Sequence, residues 1–345
     1  GGMTNELGEF PAVCNKSVQA QSTDIQGPIP EEVFNHPISD FRELTPRETE
    51  KLGRLGFPIF KAKGETKFRK LDWDTALDFA ADKLRTTHPD RTFFYSSGRS
   101  SNEAGFLFQL VARLYGTNNV HNCSYYCHQA TGVALASTIG TGTSTVELAD
   151  LTLADTIFLI GANPASNHPR FIHQLKACRD RGGHVIVINP AKETGLVKFA
   201  LPKSPKSLIS GGSEIASLYI QPNIGEDLAL FKGLGKAILE IGAVSEDFIA
   251  NHTEGFETYL AALNATYWDE ITERSGVNRT RITELAALYA KSKNAVFAWG
   301  MGMTHHTNGV ENIEEIANLA LLRGMIARPG AGLLPLRGHS NVQGI

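Results

Sequence analysis

The sequence predicts an α/β protein built on doubly wound, mostly parallel sheets. From residue 150 onward, short apolar runs alternate with helical patterns, and the runs are DTIFLIG, HVIVINP, ASLYIQ and AVFAWG. Apolar runs of this length, separated by helices, are typical of parallel strands joined by crossover helices. Glycine-containing and polar loops, GANP, NPAKE and WGMGM, follow three of the runs. Because ligands of such sheets bind beyond the carboxyl ends of the strands, these are candidate binding loops.

Helical patterns flank these runs. Residues 71–87, LDWDTALDFAADKLRTT, carry apolar side chains at helical spacing and an Asp near the start, which predicts a capped amphipathic helix. RTFFYSSG is then expected to form a buried strand, and Asn102 can cap the following helix, which Gly116 would end. Two further helices are predicted, over about 168–181 and from Asp227 onward.

Composition excludes several classes of partner. With 33 basic and 36 acidic residues the net charge is −3, which argues against a nucleic-acid or anionic-membrane surface. No apolar run of about 18 residues is present, and the first ten residues lack the features of a secretory signal, so a cytoplasmic protein is expected. The 345 residues, 42% of them hydrophobic, can bury a substantial core in about two domains.

The four cysteines, at 14, 123, 127 and 178, are too few and too scattered for a disulfide framework, so reduced thiols are expected. Cys123 and Cys127 form a C-x3-C spacing without a second pair at finger-like spacing, which argues against zinc. Cys178, on a predicted helix, is expected in the core. The adjacent His305 and His306 point in divergent directions on any regular element, so they make a poor chelate.

The stretch NVHNCSYYCH, residues 119–128, places Cys127 beside His128 between a predicted strand end and a predicted helix. A helix N-terminus would lower the pKa of the thiol and favour a metal-binding thiolate. A histidine of near-neutral pKa suits general-base work. The alternatives are a buried free cysteine that packs as a small hydrophobe and a helix-start histidine bonded to backbone.

This stretch resembles the segment that supplies the metal ligand in formate dehydrogenase-like molybdopterin oxidoreductases. Further segments recur in the same order in that family: GTNNV at 116–120, GANPASNHPR at 161–170, NPAKE at 189–193, WGMGMT at 299–304 and PLRGHSNVQG at 335–344. The FdhF/YdeP-like branch is the most similar, on CNKSVQAQ at 14–21, GRSSNEA at 98–104 and ASNHPR at 165–170. The resemblance implies formate dehydrogenase/DMSO reductase-like α/β domains.

The resemblance implies a molybdenum or tungsten ion held by the dithiolene sulfurs of two molybdopterin guanine dinucleotides and by Cys127. His128 would act as the base, and Arg337 would orient a small anionic substrate by two parallel hydrogen bonds or, alternatively, bind a cofactor phosphate. Formate is the first expectation for the substrate, although the YY before Cys127 departs from the formate dehydrogenase pattern. Electrons would pass to a redox partner of unknown identity.

Binding of the two pterin groups is expected from backbone amides, small residues and a few amide or carboxylate side chains after the strands. Asp227 can accept the N1 and N2 hydrogens of guanine. Each of these turns is also open to a purely structural role. The implied cofactor-binding residues are Lys16, Ser97, Arg99, Gly161, Asn163, Ser166, Asn167, His168, Asn189, Gly225, Asp227, Gly300, Gly302 and His339.

Cys14 and Lys16 match, in iron–sulfur relatives, the last cluster ligand and the lysine between cluster and pterin. A cubane cluster needs four ligands, usually cysteines, and no other cysteine lies near the N-terminus, which argues against a [4Fe–4S] cluster in this chain. Cys14 is then an orphaned ligand, a relic or a structural thiol.

The resemblance divides the chain into four parts. Residues 1–44 would be an extended lead-in left from a cluster-type domain, and 45–122 a partial α/β domain. Residues 123–335 would be an inserted α/β cofactor-binding domain, and 336–345 the start of a return to the partial domain. The rest of that domain and the C-terminal dinucleotide-binding domain would lie beyond residue 345.

Three functions follow as hypotheses. The first is a bis-pterin oxidoreductase acting on a small, anionic substrate. The second is an incomplete or non-catalytic cofactor-binding module of such an enzyme. The third, a nicotinamide-dependent Rossmann enzyme, is disfavoured because no G-x-G-x-x-G follows a strand with an acidic residue about 20 positions on.

Overall fold

A computed structural model describes residues 10, 25–201, 207, 209 and 211–345. Cys14 and Lys16, and the roles predicted for them, lie outside the described residues. The chain separates into two compact units, Gly1–Ser96 with Glu103–His121, and Ser97–Asn102 with Asn122–Ile345. The four-part division predicted from the sequence stays a prediction.

The described residues of the first unit form short sheets and four helices. Strand β1 (Ile59–Phe60) pairs antiparallel with β2 (Arg69–Lys70), and β3 (Phe94–Ser96) pairs with β4 (Val120–Asn122). The helices are α1 (Ile38–Arg42), α2 (Pro46–Lys51), α3 (Trp73–Thr86) and α4 (Asn102–Tyr115), with 3-10 turns at Glu31–Asn35 and Pro89–Arg91.

The helix predicted over 71–87 is confirmed as α3, and the Asp72 side chain caps it by accepting a hydrogen bond from the Thr75 amide at 2.8 Å. The helix predicted after Asn102 ends as expected before Gly116, which has a φ of 101°. The described part of the predicted lead-in, residues 25–44, contains the 3-10 turn at Glu31–Asn35 and helix α1. Pro30 and Pro37 are the N-cap residues of these two elements, so the prolines interrupt a long helix without preventing short ones.

The second unit is built on a five-stranded sheet in which every neighbouring pair is parallel. Its strands are β5 (Thr156–Ile160), β6 (His184–Ile188), β9 (Leu218–Ile220), β10 (Ala295–Trp299) and β11 (Gly332–Pro335), and a separate antiparallel pair is formed by β7 (Lys198–Phe199) and β8 (Ser213–Glu214). The helices are α5 (Cys123–Ile139), α6 (Pro164–Asn167), α7 (Pro169–Asp180), α8 (Thr194–Val197), α9 (Asp227–Glu240), α10 (Glu246–His252), α11 (Phe256–Ala265), α12 (Trp268–Ser275), α13 (Arg279–Lys291), α14 (Met301–Thr304) and α15 (Gly309–Leu322), with a 3-10 turn at Leu148–Thr152.

The strand order is β11-β10-β5-β6-β9. The chain first steps outward from β5 through β6 to β9, then crosses back to lay β10 on the other side of β5. The order of the strands therefore reverses between β5 and β10, which is the position where doubly wound sheets bind their ligands. The predicted doubly wound parallel sheet is confirmed.

The two faces of the sheet carry separate cores, because alternate side chains of a strand point to opposite sides. On one face Phe158 of β5 stacks on Phe297 of β10 with ring centroids 4.5 Å apart, and Tyr289 of α13 packs edge-on against both. On the other face Leu159 of β5 packs among α7 residues such as Ile172. Every residue of β5 and β10 is buried, so these strands anchor the unit. None of the described helices combines the length and apolar composition needed to cross a bilayer.

Asp155 ties the start of β5 to the turn before β10. Its carboxylate accepts hydrogen bonds from the Ser292 hydroxyl and from the amides of Lys293 (2.8 Å) and Asn294 (3.3 Å). Its own carbonyl accepts from the His184 amide at the start of β6. One residue thus aligns the amino ends of three strands.

Replacing Asp155 with alanine should lower the free energy of unfolding by about 2–4 kcal/mol, because three donors lose a charged acceptor. Asp155→Asn should lower it less, since one acceptor oxygen remains. Urea unfolding followed by circular dichroism gives both values. Asp269→Asn, at an exposed site on α12, is the matched control, and an equal loss in that control would contradict the role of Asp155.

Candidate functional site

A kink in α5 holds the two central candidates. The helix begins at Cys123, where the Asn122 side-chain oxygen accepts hydrogen bonds from the amides of Ser124 (2.9 Å) and Tyr125 (3.4 Å). At the sixth residue of the helix, in its second turn, the regular backbone is interrupted, because His128 has a non-helical φ of −131° and ψ of 25°. The cysteine–histidine pair at 127 and 128 therefore lies at a break between two helical segments.

His128 is only 1% exposed. Its Nδ1 lies 3.0 Å from the Thr131 hydroxyl oxygen, whereas Nε2 has no hydrogen-bond partner within the described part of the chain. Burial and the positive charge of Arg337 lower the pKa of His128 to about 4, and the nearby Leu336 carbonyl opposes this shift without making a hydrogen bond of normal geometry. The near-neutral pKa expected from the sequence is thus wrong, because the ring is buried beside a cation and is neutral at pH 7.

Cys127 is half-buried, and burial raises the pKa of its thiol. The neighbouring Cys123 raises this pKa further, while Arg337 lowers it. The lowered pKa expected from a helix N-terminus is therefore wrong. The helix starts at Cys123, and its capped amides serve residues 124 and 125 rather than the thiol four positions on.

The loop after β10 holds the backbone of the cysteine. The Thr304 hydroxyl donates to the Cys127 carbonyl at 2.7 Å, and Nε2 of His305 donates to the Tyr126 carbonyl at 2.7 Å. Two consecutive residues thus fix two consecutive carbonyls at the kink. No local pattern in the sequence indicates the role of His305, because it lies 179 residues beyond Tyr126.

Arg337 follows β11 and reaches the same kink. Its Nη1 donates to the Ser124 hydroxyl at 2.8 Å and its Nη2 to the Gly142 carbonyl at 3.2 Å, while Nε is buried without a partner among the described residues. Nε2 of His168 donates to the Arg337 carbonyl at 2.8 Å. Burial lowers the pKa of Arg337, but a guanidinium remains charged at neutral pH. The structure therefore brings Arg337, His168 and the kink together.

The loops after β5 and β10 touch through their glycines. Gly161 has a φ of 54°, and its carbonyl accepts from the Gly302 amide at 3.0 Å. A Cβ on Gly302 would lie 2.7 Å from Gly161 Cα, and one on Gly300 would lie 2.9 Å from the Gly161 carbonyl oxygen. Contact between the two loops therefore requires these glycines, whether or not a cofactor also approaches them.

The remainder of the loop after β5 offers one unusual group. The Asn163 side-chain oxygen is buried without a hydrogen-bond partner in the described residues. The backbone carbonyl of Asn163 accepts hydrogen bonds from the amides of Ser166 and Asn167, two exposed residues. After β6, Asn189 has a local partner, because its side-chain amide donates to the Ala191 carbonyl at 2.8 Å.

Asp227, the first residue of α9, is 2% exposed, and its Oδ1 has no partner in the described residues. Burial raises the pKa of this carboxyl to about 6, although the neighbouring His306 lowers it. Gly225, two residues earlier, has a φ of 84° and lies next to the same histidine ring. A carboxylate that is buried and only partly paired is available to a ligand.

Ser97, Arg99 and His339 form a more exposed group. Nε of Arg99 donates to Nδ1 of His339 at 3.4 Å, and the Ser97 hydroxyl accepts from the Arg99 amide at 3.2 Å. The Gly98 amide donates to Cys123 Sγ at 3.2 Å, so this segment also reaches the start of α5.

Unpaired polar atoms concentrate at the predicted site. Of the seven buried side-chain atoms without a hydrogen-bond partner in the described residues, four belong to residues predicted from the sequence: His128 Nε2, Asn163 Oδ1, Asp227 Oδ1 and Arg337 Nε. Buried polar groups are nearly always hydrogen-bonded, so such atoms indicate a missing partner. No three His, Cys, Asp or Glu side chains come together as a metal cage in the described residues.

A doubly wound sheet whose switch point carries a cysteine–histidine kink, an arginine and unpaired buried polar groups defines a cofactor-binding α/β protein. The chain belongs to the molybdopterin oxidoreductase family, whose model matches residues 54–344. The resemblance found from the sequence motifs is confirmed.

Several relatives support this family. An uncharacterized oxidoreductase of Mycobacterium tuberculosis is 37% identical over 98% of this chain and 44% of its own length. Protein YdeP of Escherichia coli K12 is 40% identical over 86% of this chain and 41% of its own length. The F420-dependent formate dehydrogenase 1 alpha subunit of Methanococcus maripaludis is 34% identical over 84% of this chain and 40% of its own length. The chain thus spans less than half the length of these relatives.

Acetylene hydratase from Pelobacter acetylenicus has a similar fold. The two structures match with a TM-score of 0.67 at 21% identity, over 94% of this chain and 39% of the hydratase. At this identity the likeness concerns the fold alone.

The buried carboxyl of Asp227 should make stability depend on pH. Its folded pKa of about 6 lies above its ordinary value of 3.8, so the stabilising contribution of the protonated carboxyl is complete below pH 3.8 and lost as the pH rises through 6. The loss amounts to about 3 kcal/mol. Asp227→Asn carries no such group. Its free energy of unfolding should therefore rise relative to that of the natural chain as the pH rises. Urea unfolding of both chains between about pH 4 and 7.5 measures the difference, and a difference independent of pH would contradict it.

Adding a methyl group at Gly302 should separate the loops after β5 and β10. Gly302→Ala should lower the free energy of unfolding by about 1–3 kcal/mol, because the new Cβ meets backbone rather than a flexible side chain. Gly132→Ala is the control: nothing lies within 4 Å of its Cβ position in α5, so the variant should be stabilised by about 0.5–1 kcal/mol. Thermal unfolding compares the two, and equal changes would rule out the loop contact as the cause.

Proposed function

We propose that this chain is the catalytic cofactor-binding part of a molybdenum- or tungsten-dependent oxidoreductase that binds two molybdopterin guanine dinucleotides and acts on a small, anionic substrate in the manner of formate dehydrogenase. The observation that carries the proposal is the set of four buried polar atoms without partners among the described residues, on His128, Asn163, Asp227 and Arg337. Two nitrogens, on His128 and Arg337, and two acceptor oxygens, on Asn163 and Asp227, are left open, which suits a ligand with phosphate, amide and guanine groups.

Cys127 is the proposed protein ligand of the metal. A thiolate suits a metal already surrounded by soft sulfur donors. Burial keeps the thiol protonated in the chain alone, and a bound cation would deprotonate it outright. Thr304 and His305 hold the carbonyls of Cys127 and Tyr126, one on each side of the Cys127 Cα. The ligand is therefore held in place before the metal binds.

Arg337 is proposed to hold the anionic substrate. Two of its nitrogens are tied to Ser124 and Gly142, which sets the plane of the guanidinium, and Nε remains open. A fixed guanidinium in a partly buried place favours a carboxylate, which accepts two parallel hydrogen bonds. Formate is the simplest such substrate, and an alpha subunit of a formate dehydrogenase is among the relatives.

Asp227 is proposed to read guanine. Its unpaired Oδ1 lies at the start of α9, and a carboxylate pairs with the N1 and N2 hydrogens of guanine. Asn163, in the loop after β5, adds a second unpaired acceptor. When bound, the metal–pterin group would supply the two-electron redox centre, while the chain binds the substrate, orients it and excludes water.

Electrons would then pass to another protein. The related formate dehydrogenase chain is named as one subunit of an F420-dependent enzyme, and we propose that this chain likewise acts with a redox partner. The identity of that partner does not follow from the residues. The substrate also remains open to anions other than formate, because Tyr125 and Tyr126 stand half-exposed before the cysteine.

Elemental analysis of anaerobically purified protein, paired with release of guanine nucleotide, tests the proposal. About one molybdenum or tungsten and about two guanines per chain are expected, with little iron. Asp227→Ala should lower the guanine content, whereas Asp269→Ala, an exposed aspartate in the same unit, should not. In the full-length protein, Cys127→Ala should abolish turnover, while Cys178→Ala, at a buried position of α7, should keep it.

Two results would contradict this function. Tight binding of a nicotinamide nucleotide, with no guanine nucleotide released, would show that the cofactor is a nicotinamide and not a pterin. Unchanged turnover in a metal-loaded Cys127→Ala protein would contradict the assignment of Cys127 as the metal ligand. Guanine binding without any turnover in the full-length protein would instead favour a non-catalytic cofactor-binding module.

A further inference from the structure

A line of three buried side chains runs from the sheet to the kink in α5. Trp299 ends β10, and its indole Nε1 donates to the Thr131 hydroxyl oxygen at 3.0 Å. The same oxygen lies 3.0 Å from Nδ1 of His128. Trp299 and Thr131 are fully buried, and these two contacts are the hydrogen bonds of the Thr131 hydroxyl in the described part of the chain.

The chemistry of the three groups fixes the direction of the hydrogen bonds. An indole N–H only donates, so it occupies one lone pair of the Thr131 oxygen. The hydroxyl hydrogen then needs an acceptor, because a buried unpaired O–H is costly. The acceptor within its reach is Nδ1 of His128. A ring nitrogen that accepts carries no hydrogen, so in a neutral imidazole the hydrogen lies on Nε2.

We infer that Trp299 and Thr131 hold His128 in the tautomer with its hydrogen on Nε2, so that the ring presents a hydrogen-bond donor to the cofactor and substrate site. The tautomer is a property of the chain alone. The partner that the Nε2 hydrogen of His128 would bind, a cofactor or substrate atom, rests on the proposed function. Trp299 and Thr131 are positioning residues, since they act through the histidine.

The surroundings of the ring agree with this tautomer. Nε2 is buried without a partner among the described residues, as a donor held for a ligand would be. The carbonyl of Leu336 favours a hydrogen on the ring, and a carbonyl can only accept.

This tautomer is incompatible with the role of general base that the sequence predicts for His128. The lone pair of Nδ1 is engaged by Thr131, and Nε2 carries a hydrogen. The ring therefore has no free lone pair with which to accept a proton from the substrate. It can instead donate a hydrogen bond from Nε2 to a substrate oxygen beside Arg337, which orients an anion from a second direction.

Nitrogen NMR of the 345-residue chain, with ¹⁵N in its histidine rings, tests the tautomer at pH 7. Long-range proton–nitrogen correlations show which ring nitrogen carries the hydrogen. The signals of His128 among the 11 histidines are identified by their loss in His128→Gln, or by elimination with variants of the others. The Nε2–H form should outweigh the other by about tenfold or more, as the cost of an unpaired buried hydroxyl implies.

Substitution of Thr131 tests the origin of that preference. In Thr131→Val the Nδ1 resonance should move toward that of a nitrogen without a hydrogen bond, and Thr131→Ser should restore it. Circular dichroism checks that each variant is folded. If the valine variant does not fold, the tautomer of the natural chain still decides.

A hydrogen on Nδ1 in the natural chain, or an even mixture of tautomers, overturns the inference. A folded Thr131→Val chain with an unmoved Nδ1 resonance overturns it as well. These outcomes are separate from the proposed function: a chain that binds no pterin yet shows the Nε2–H pattern would remove the function and leave the tautomer in place.

Discussion

The parallel pairing of β5 with β10, and the contact between the loops that follow them, position the whole candidate site. Because the two strands run side by side with matched ends, their loops start at the same level, and Gly161 and Gly302 let the backbones touch. From this contact one loop reaches the Cys127 carbonyl and the other reaches the Arg337 carbonyl. Groups far apart in sequence are therefore fixed relative to a single pair of buried strands.

The site is built at the expense of stability. An unpaired polar group in a protein interior costs about 1–3 kcal/mol, and four such atoms lie at the predicted site. The rest of the second unit offsets this cost through strands that are buried along their full length and through two continuous apolar cores. A ligand that pairs these atoms would stabilise the chain in proportion to its affinity.

The sequence predicted the strands and several helices because their signals are local. Runs such as TIFLI need no distant information, and Asp72 caps its own helix. Strand β11 was not predicted, because its four residues include a glycine and a proline, which are uncommon in strands. The loop motifs also led to the right family, since they recur in order.

The electrostatics could not be predicted from the sequence. The pKa values of Cys127 and His128 depend on burial and on Arg337, which lies more than 200 residues away along the chain. Similarly, the contacts of Thr131 and Thr304 form only when β10 is laid beside β5. The identity of a catalytic residue is local information, whereas its protonation state is a property of the assembled unit.

The break in α5 also divides the helix into two parts. Behind it, the helix packs along α15 and belongs to the core; ahead of it, one turn carries the exposed Tyr125 and Tyr126 and the candidate ligand. The two tyrosines are exposed, so their side chains are not part of the packing behind the break. The break therefore separates residues whose exchange would alter the surface around the candidate ligand from residues that hold the helix in the core.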